Sequence, residues 1–242
     1  MDKRINNNGY DYVDLGLPSG TLWATCNVGA NKPTDYGLYF QWGDIQGYTK
    51  DQIGKDKQFN WSDYKFCVNK IIKDFSKYTT LGSKLELVDD AANANMGGKW
   101  HMPSIEQIKE LSDNTINSLT KLDGVIGRKF MSKNDPSKFI FIPAAGVACD
   151  GSIYYSGESG FIWSSMLDAY YTDSGEDLNF VSNNTYIDSN YRYYGFSIRG
   201  IISEQNDTPK NNKHNTSMNL VEILKDVPKG TKLWSPICGE CE

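Results

Sequence analysis

The sequence predicts a β-rich domain, all-β or α+β, built from short strands and long irregular connections. Three observations carry that expectation. Aromatic residues make up 13% of the 242-residue chain, with 15 Tyr, 10 Phe and 6 Trp, and rings of this kind suit pleated, half-buried surfaces. The chain also holds 22 Gly, enough to supply many turns. Finally, short apolar runs alternate with turn residues at fairly even intervals, as small antiparallel sheets require.

Residues 1–9 read as a polar lead-in. From Tyr10 to Trp42 the pattern is strand and turn: Tyr12-Val-Asp-Leu, Thr21-Leu-Trp-Ala-Thr-Cys and Leu38-Tyr-Phe-Gln-Trp. Residues 45–85 lack sustained periodicity and predict a long loop with a short helix or two, a length that itself suggests a functional excursion. Residues 86–96 predict a short helix stopped at Gly97-Gly98. A second helix begins after Pro103, with Ser104 as N-cap, Gln107 three residues on, and Ile105, Ile108 and Leu111 at helical spacing. It is expected to end near Leu111, before an Asn/Ser/Thr-rich stretch at 112–120. Strands are then expected at 125–131, 138–145, 151–155, 161–165, 177–181 and 192–202.

Composition changes at Glu204. Residues 204–217 hold no apolar residue and predict a flexible linker. In 218–242, Asn219–Asp226 has the pattern of a short amphipathic helix, and Pro228–Glu242 resembles the start of a second β module. The N-terminal residues contain no apolar h-region, and no stretch approaches the roughly 20 apolar residues of a membrane span, so neither a signal peptide nor membrane insertion is expected.

The net charge of −5 argues against nucleic acid as a partner, because such affinity rests largely on phosphate neutralisation by basic residues. Five cysteines at irregular spacing do not form a disulfide framework. Cys26 and Cys149 lie in apolar runs and are expected to act as small hydrophobes. Cys238 and Cys241 have the spacing of half a metal knuckle or a redox pair, but no second pair accompanies them. Of the two histidines, His101 is expected to be structural and His214 falls in the linker, so neither a Ser-His-Asp triad nor a His-based zinc site is supported. Asp168, Asp173, Glu176 and Asp177 offer oxygen ligands for Ca²⁺ in a loop, with solvated acidic surface as the plain alternative. No cofactor motif is present in the sequence.

The aromatic and glycine anchors recur in order: Val13–Trp23, Gly37–Asp44, Gly97-Gly-Lys-Trp-His-Met-Pro103, Ile142–Gly146, Gly160–Ser165 and Gly195-Phe-Ser-Ile-Arg199. Over residues 10–202, within a domain placed at 10–203, this series resembles the Fibrobacter succinogenes major paralogous domain family, found in Bacteroides-group bacteria and their phages. The resemblance implies a C-type-lectin-like fold, related to formylglycine-generating enzymes: small twisted antiparallel sheets, one or two helices and extensive loops. It also implies non-enzymatic display of a binding surface toward a cell-surface polysaccharide or protein ligand. The cysteines on which the sulfatase-modifying relatives depend have no counterpart in residues 150–202.

The same fold carries the variable proteins of diversity-generating retroelements, and residues 168–194, rich in Tyr, Asn, Asp and Ser, resemble their variable face. Tyr supplies large amphipathic contact area at low entropic cost, and Asn adaptable hydrogen bonds. Tyr170, Tyr171, Asn183, Asn184, Tyr186, Asn190, Tyr191 and Tyr193 are therefore the candidate ligand-facing residues, with Trp163 and Arg199 supporting them from beneath. Trp23, Trp42, Trp100 and Trp163 are expected in the core, whereas Trp61, Tyr64 and Tyr78 offer exposed stacking platforms for a sugar. Two rival readings are an enzyme of the formylglycine-generating type and a purely structural surface or virion protein.

Overall fold

A computed structural model describes residues 8–70, 74–182, 184–203, 233–235 and 239–241. In chain order the elements are β1 (Tyr12–Asp14), β2 (Leu22–Ala24), α1 (Ala91–Met96), α2 (Ile105–Asn114), β3 (Thr115–Leu122), β4 (Val125–Ser132) and β5 (Phe139–Pro143). They continue with β6 (Val147–Cys149), β7 (Ser152–Tyr154), β8 (Ser159–Leu167), β9 (Ser174–Val181), β10 (Asn184–Tyr191), β11 (Ile201–Ile202), β12 (Leu233–Ser235) and β13 (Gly239–Cys241). This is an α+β architecture of small antiparallel sheets. The described residues fall into two units, 1–204 and 205–242. Within the second, β12 and β13 form a two-stranded antiparallel ladder, Leu233 facing Cys241. The predicted linker at 204–217, the predicted helix at 219–226 and Cys238 lie outside the described residues.

In the first unit β11 pairs with β2, and β2 with β1, so one small sheet joins the beginning of the domain to its end. β3, β4 and β5 form a meander, β6 and β7 a hairpin, and β8, β9 and β10 a second meander in which β10 is an edge strand.

α2 starts where its capping box predicts. Ser104 Oγ accepts from the Gln107 N–H, and Gln107 Oε1 accepts from the Ser104 N–H at 2.8 Å, satisfying amides that a helix start leaves unpaired. Its apolar stripe, Ile105, Ile108 and Leu111, packs with Phe130 and Ile140 of the first meander and Ile162, Leu178 and Phe180 of the second. α1 is capped by the Asp90 carboxylate and ends at Gly97, whose φ of 68° favours glycine.

Two sequence expectations are corrected here. The second helix does not end near Leu111: α2 runs on to Asn114 and β3 follows at once, all eight of its residues paired with β4. Its pattern is blurred because Ile116 faces solvent, so pairing with β4 stabilises it in place of apolar alternation. Nor is 45–85 an exposed platform. Asp63 organises it, its carboxylate accepting from the backbone N–H groups of Gln58, Phe59 and Asn60 and from the Gln41 amide. Tyr64 and Tyr78 are buried, and their rings pack in one cluster with Trp42, Phe66 and Phe75. Their hydroxyls explain the burial: Tyr64 donates to Trp42 C=O and Tyr78 to the Asp89 carboxylate, which removes the cost of an unpaired buried hydroxyl. Trp23, Trp42, Trp100 and Trp163 are all fully buried.

Candidate recognition surface

β10 is positioned by complete pairing with β9, eight residues against eight, and β9 pairs in turn with β8. Residues directly opposite share a sheet face. One face therefore carries three rows: Tyr186, Asn179 and Phe161; Asp188, Asp177 and Trp163; then Asn190 and Gly175. The opposite face, with Leu178, Phe180 and Ile162, packs on α2.

At the centre of the polar face Asp177 is fully buried. Its two oxygens accept from the side-chain amides of Asn190 (2.8 Å) and Asn179 (3.2 Å), and no cation pairs with it among the described residues. Burial pushes its carboxyl up to about 8, with Asp188 and Glu176 acting in the same direction against the two amide donors. Asp177 is accordingly a neutral acid near pH 7, which fixes the Asn190 side chain without placing a charge on the surface.

Arg192 follows β10 and has no solvent exposure. Its guanidinium donates to the Tyr64 hydroxyl (2.9 Å) and to the carbonyls of Thr172 (2.8 Å), Lys77 (3.0 Å) and Tyr78 (3.3 Å). It also lies over the Phe75, Trp42 and Tyr64 rings, at 4.3, 5.0 and 5.5 Å from their centroids. One side chain thus ties the 168–173 turn and the 64–78 segment to the end of β10.

Beyond Arg192 the rings form a continuous strip. Tyr191 and Tyr193 stack at 5.6 Å with 16° between planes. Trp61 meets Tyr193 edge-on at 4.7 Å and Tyr191 at 5.9 Å. Tyr194 lies 4.8 Å from Tyr193 and 6.1 Å from Phe196, which stacks on Phe161 at 4.7 Å. Tyr191 is 44% exposed, and Trp61, Tyr193, Tyr194 and Phe161 are half-buried. At the hairpin end of this sheet, Leu119, Ile126, Tyr155, Phe161 and Val181 line a groove of about 530 Å³.

The residues singled out from the sequence divide into two groups. Tyr191 and Tyr193 stack at one end of β10, where the Asn190 side chain is instead held by Asp177. Tyr170 and Tyr171, 82% and 60% exposed, sit on the adjoining turn, their N–H groups held by the Asp168 carboxylate. Asn184 and Tyr186 hydrogen-bond to each other at 2.9 Å. They lie five and seven residues back along the strand, roughly 17 Å or more from Tyr191 at the usual rise. Asn183 lies outside the described residues.

Trp163 is buried cross-strand from Asp177, with its ring 4.2 Å from that of Phe196 and its indole N–H donating to Phe40 C=O. Arg199 is buried elsewhere. Its guanidinium is consumed by Asn27 Oδ1 and by the Ala24, Thr25 and Phe141 carbonyls, between β2 and β5. Tyr194, Phe161 and Arg192 were not singled out, and Trp61, here half-buried, was expected only as a separate stacking platform for a sugar; the run Tyr191-Arg-Tyr-Tyr194, an arginine among rings, was a readable sign of a buried cation–π clamp.

Other candidate chemistry resolves locally. Asp168 caps the turn, and among the described residues no three His, Cys, Asp or Glu side chains gather closely enough to hold a metal ion. His101 bridges Met102 C=O and Ser203 Oγ, and burial lowers its pKa. Burial, reinforced by Asp150, pushes the Cys149 thiol up to about 11, so it is not a thiolate at neutral pH. No helix among the described residues is long and apolar enough to cross a membrane. In comparisons with known proteins, the chain matches no family model, no curated protein and no solved structure.

Proposed function

We propose that residues 10–203 form a non-enzymatic recognition domain of C-type-lectin-like architecture that binds a cell-surface polysaccharide. Its contact surface is the strip Trp61, Tyr191, Tyr193 and Tyr194, with Tyr170 and Tyr171 beside it. The observation that carries this reading is the preorganisation of that strip. Half-exposed rings stand in fixed mutual contact at the end of a fully paired strand, on a layer of Tyr64, Phe75 and Phe196 against which Arg192 and Trp163 pack. Rings of this kind offer flat apolar faces for sugar C–H groups. Because the rings are already ordered, binding costs little side-chain entropy.

The test is binding of the full chain to a glycan array and to a panel of intact gut bacteria, with Tyr191→Ala and Trp61→Ala alongside Tyr154→Ala as an exposed control. Selective binding weakened at least about tenfold by the first two changes and unaffected by the third is the expected result. Equal binding by all four proteins would place the contact surface elsewhere, and a preference for protein over glycan on the bacteria would replace the polysaccharide.

A further inference from the structure

A second region of the domain carries unpaired backbone of a specific kind. Strand pairs in an antiparallel ladder alternate between residues whose N–H and C=O face the partner strand and residues whose groups face away. Two bonds fix this phase for β4 and β5: Ser132 N–H to Lys138 C=O (2.9 Å) and Ala144 N–H to Ile126 C=O (2.8 Å). With Met131 opposite Phe139 and Lys129 opposite Phe141, the main-chain groups of Phe139 and Phe141 face away from β4. The Phe141 carbonyl confirms the phase by accepting from Arg199 at 2.8 Å on that outer side.

The same reasoning applies to β1. Thr25 N–H donates to Asp11 C=O (3.0 Å), so the groups of Tyr12 and Asp14, opposite Ala24 and Leu22, face away from β2. β1 and β5 are each the outermost strand of their sheet. Among the described residues no backbone partner reaches the outward N–H or C=O of Tyr12, Asp14 or Phe139, nor the outward N–H of Phe141.

Both edges line one cleft of about 800 Å³, and Tyr12, Asp14, Phe139 and Phe141 all belong to its wall. Rows of donors and acceptors spaced along strands are complementary to one kind of partner, an extended polypeptide backbone. Small sugars and nucleotides do not repeat groups at the strand period. The cleft also carries Val13, Leu22 and Ile140 among its apolar lining, suited to alternate side chains of an inserted strand. Its charged lining is acidic on balance. Asp14 and Asp135 stand against Lys138, while Lys32 already faces Asp35 at 3.8 Å.

We propose that this cleft is a peptide-binding site. It takes an extended segment of a partner protein, apolar at alternate positions and bearing Lys or Arg, which adds to the outer edge of β5 through Phe139 while β1 forms the facing wall. The site is separate from the aromatic strip and does not depend on the reading of that strip.

The probe is a displayed library of short random peptides selected against the full chain, followed by synthesis of the enriched sequences. Enriched peptides show apolar residues at every second position with at least one basic residue. On binding, amide exchange at Phe139 and Phe141 slows at least about tenfold. Phe139→Pro removes an N–H that points away from the β4 ladder, so the fold is retained while peptide affinity falls at least about tenfold. Tyr191→Ala leaves peptide binding intact. A library that yields nothing above background, peptides bound without protection at Phe139, or peptides whose binding is abolished by Tyr191→Ala would each overturn the proposal. If Phe139→Pro fails to fold, the exchange measurement on the unaltered chain decides.

Discussion

Replacing Asp177 by Asn isolates the energetic consequence of burying a carboxyl within the β8–β9–β10 sheet. The wild-type group sits between Asn179 and Asn190, opposite Trp163, with Asp188 beside it across the β9–β10 pair and Glu176 adjacent in β9. Its carboxyl is raised from the usual 3.8 to about 8, chiefly by burial. Below about pH 4 both folded and unfolded chains hold the proton, and stability is fully expressed. Between about pH 4 and about pH 8 only the folded chain holds it, so stability declines with rising pH by about 1.4 kcal/mol per unit. Across the whole interval that amounts to about 6 kcal/mol, a ceiling set by the size of the shift. Asp177→Asn keeps the shape, stays neutral and can still hydrogen-bond with both neighbouring amides. Urea denaturation followed by tryptophan fluorescence, run on both proteins from about pH 5 to about pH 8, should show the variant gaining about 4 kcal/mol relative to wild type. Groups common to both proteins cancel in that difference. A constant gap over the interval would mean that Asp177 is ionised in the folded chain like an ordinary surface carboxylate, and the account of a neutral anchor for Asn190 would be wrong.

Two further changes test the packing beneath the strip. Arg192→Met removes a buried guanidinium and leaves the Thr172, Lys77 and Tyr78 carbonyls without their donor. A loss of about 3–5 kcal/mol in urea denaturation is expected, because several buried acceptors lose their donor at once, and a loss below about 1 kcal/mol would show that the clamp is replaceable. Gly175→Ala would place a Cβ 2.7 Å from Trp42 Cδ1, and Trp42 is fully buried with its indole N–H bound to Ser164 C=O at 3.0 Å. The ring has little room to retreat, so thermal unfolding should report a loss of about 1–3 kcal/mol, and an unchanged melting temperature would contradict the close approach.

What the sequence determined by itself is local. Ser104 and Gln107 specify the start of α2 because capping needs only a hydroxyl and an amide three residues apart, and the 3.6-residue spacing of Ile105, Ile108 and Leu111 selects the face that packs. The strand runs around Val13, Trp23 and Phe141 were readable for the same reason, since alternation and turn residues are properties of short segments. β3 and β10 were not readable. Their residues are polar or exposed on one face, and only pairing with β4 and β9 makes them strands.

The candidate surface follows the same division. Composition pointed to the Tyr- and Asn-rich stretch. That Tyr191 and Tyr193 are joined by Trp61, over a hundred residues away in sequence, while Asn184 and Tyr186 lie apart from them, was decided by the register of β10 and by Arg192. Tyr64 and Tyr78 likewise looked like exposed rings in a polar segment, and long-range hydrogen bonds to Trp42 and Asp89 made their burial favourable. The outward phase of Tyr12 and Phe139 is a tertiary fact as well. A strand's sequence does not reveal which of its neighbours is missing; the order of strands in the sheets does.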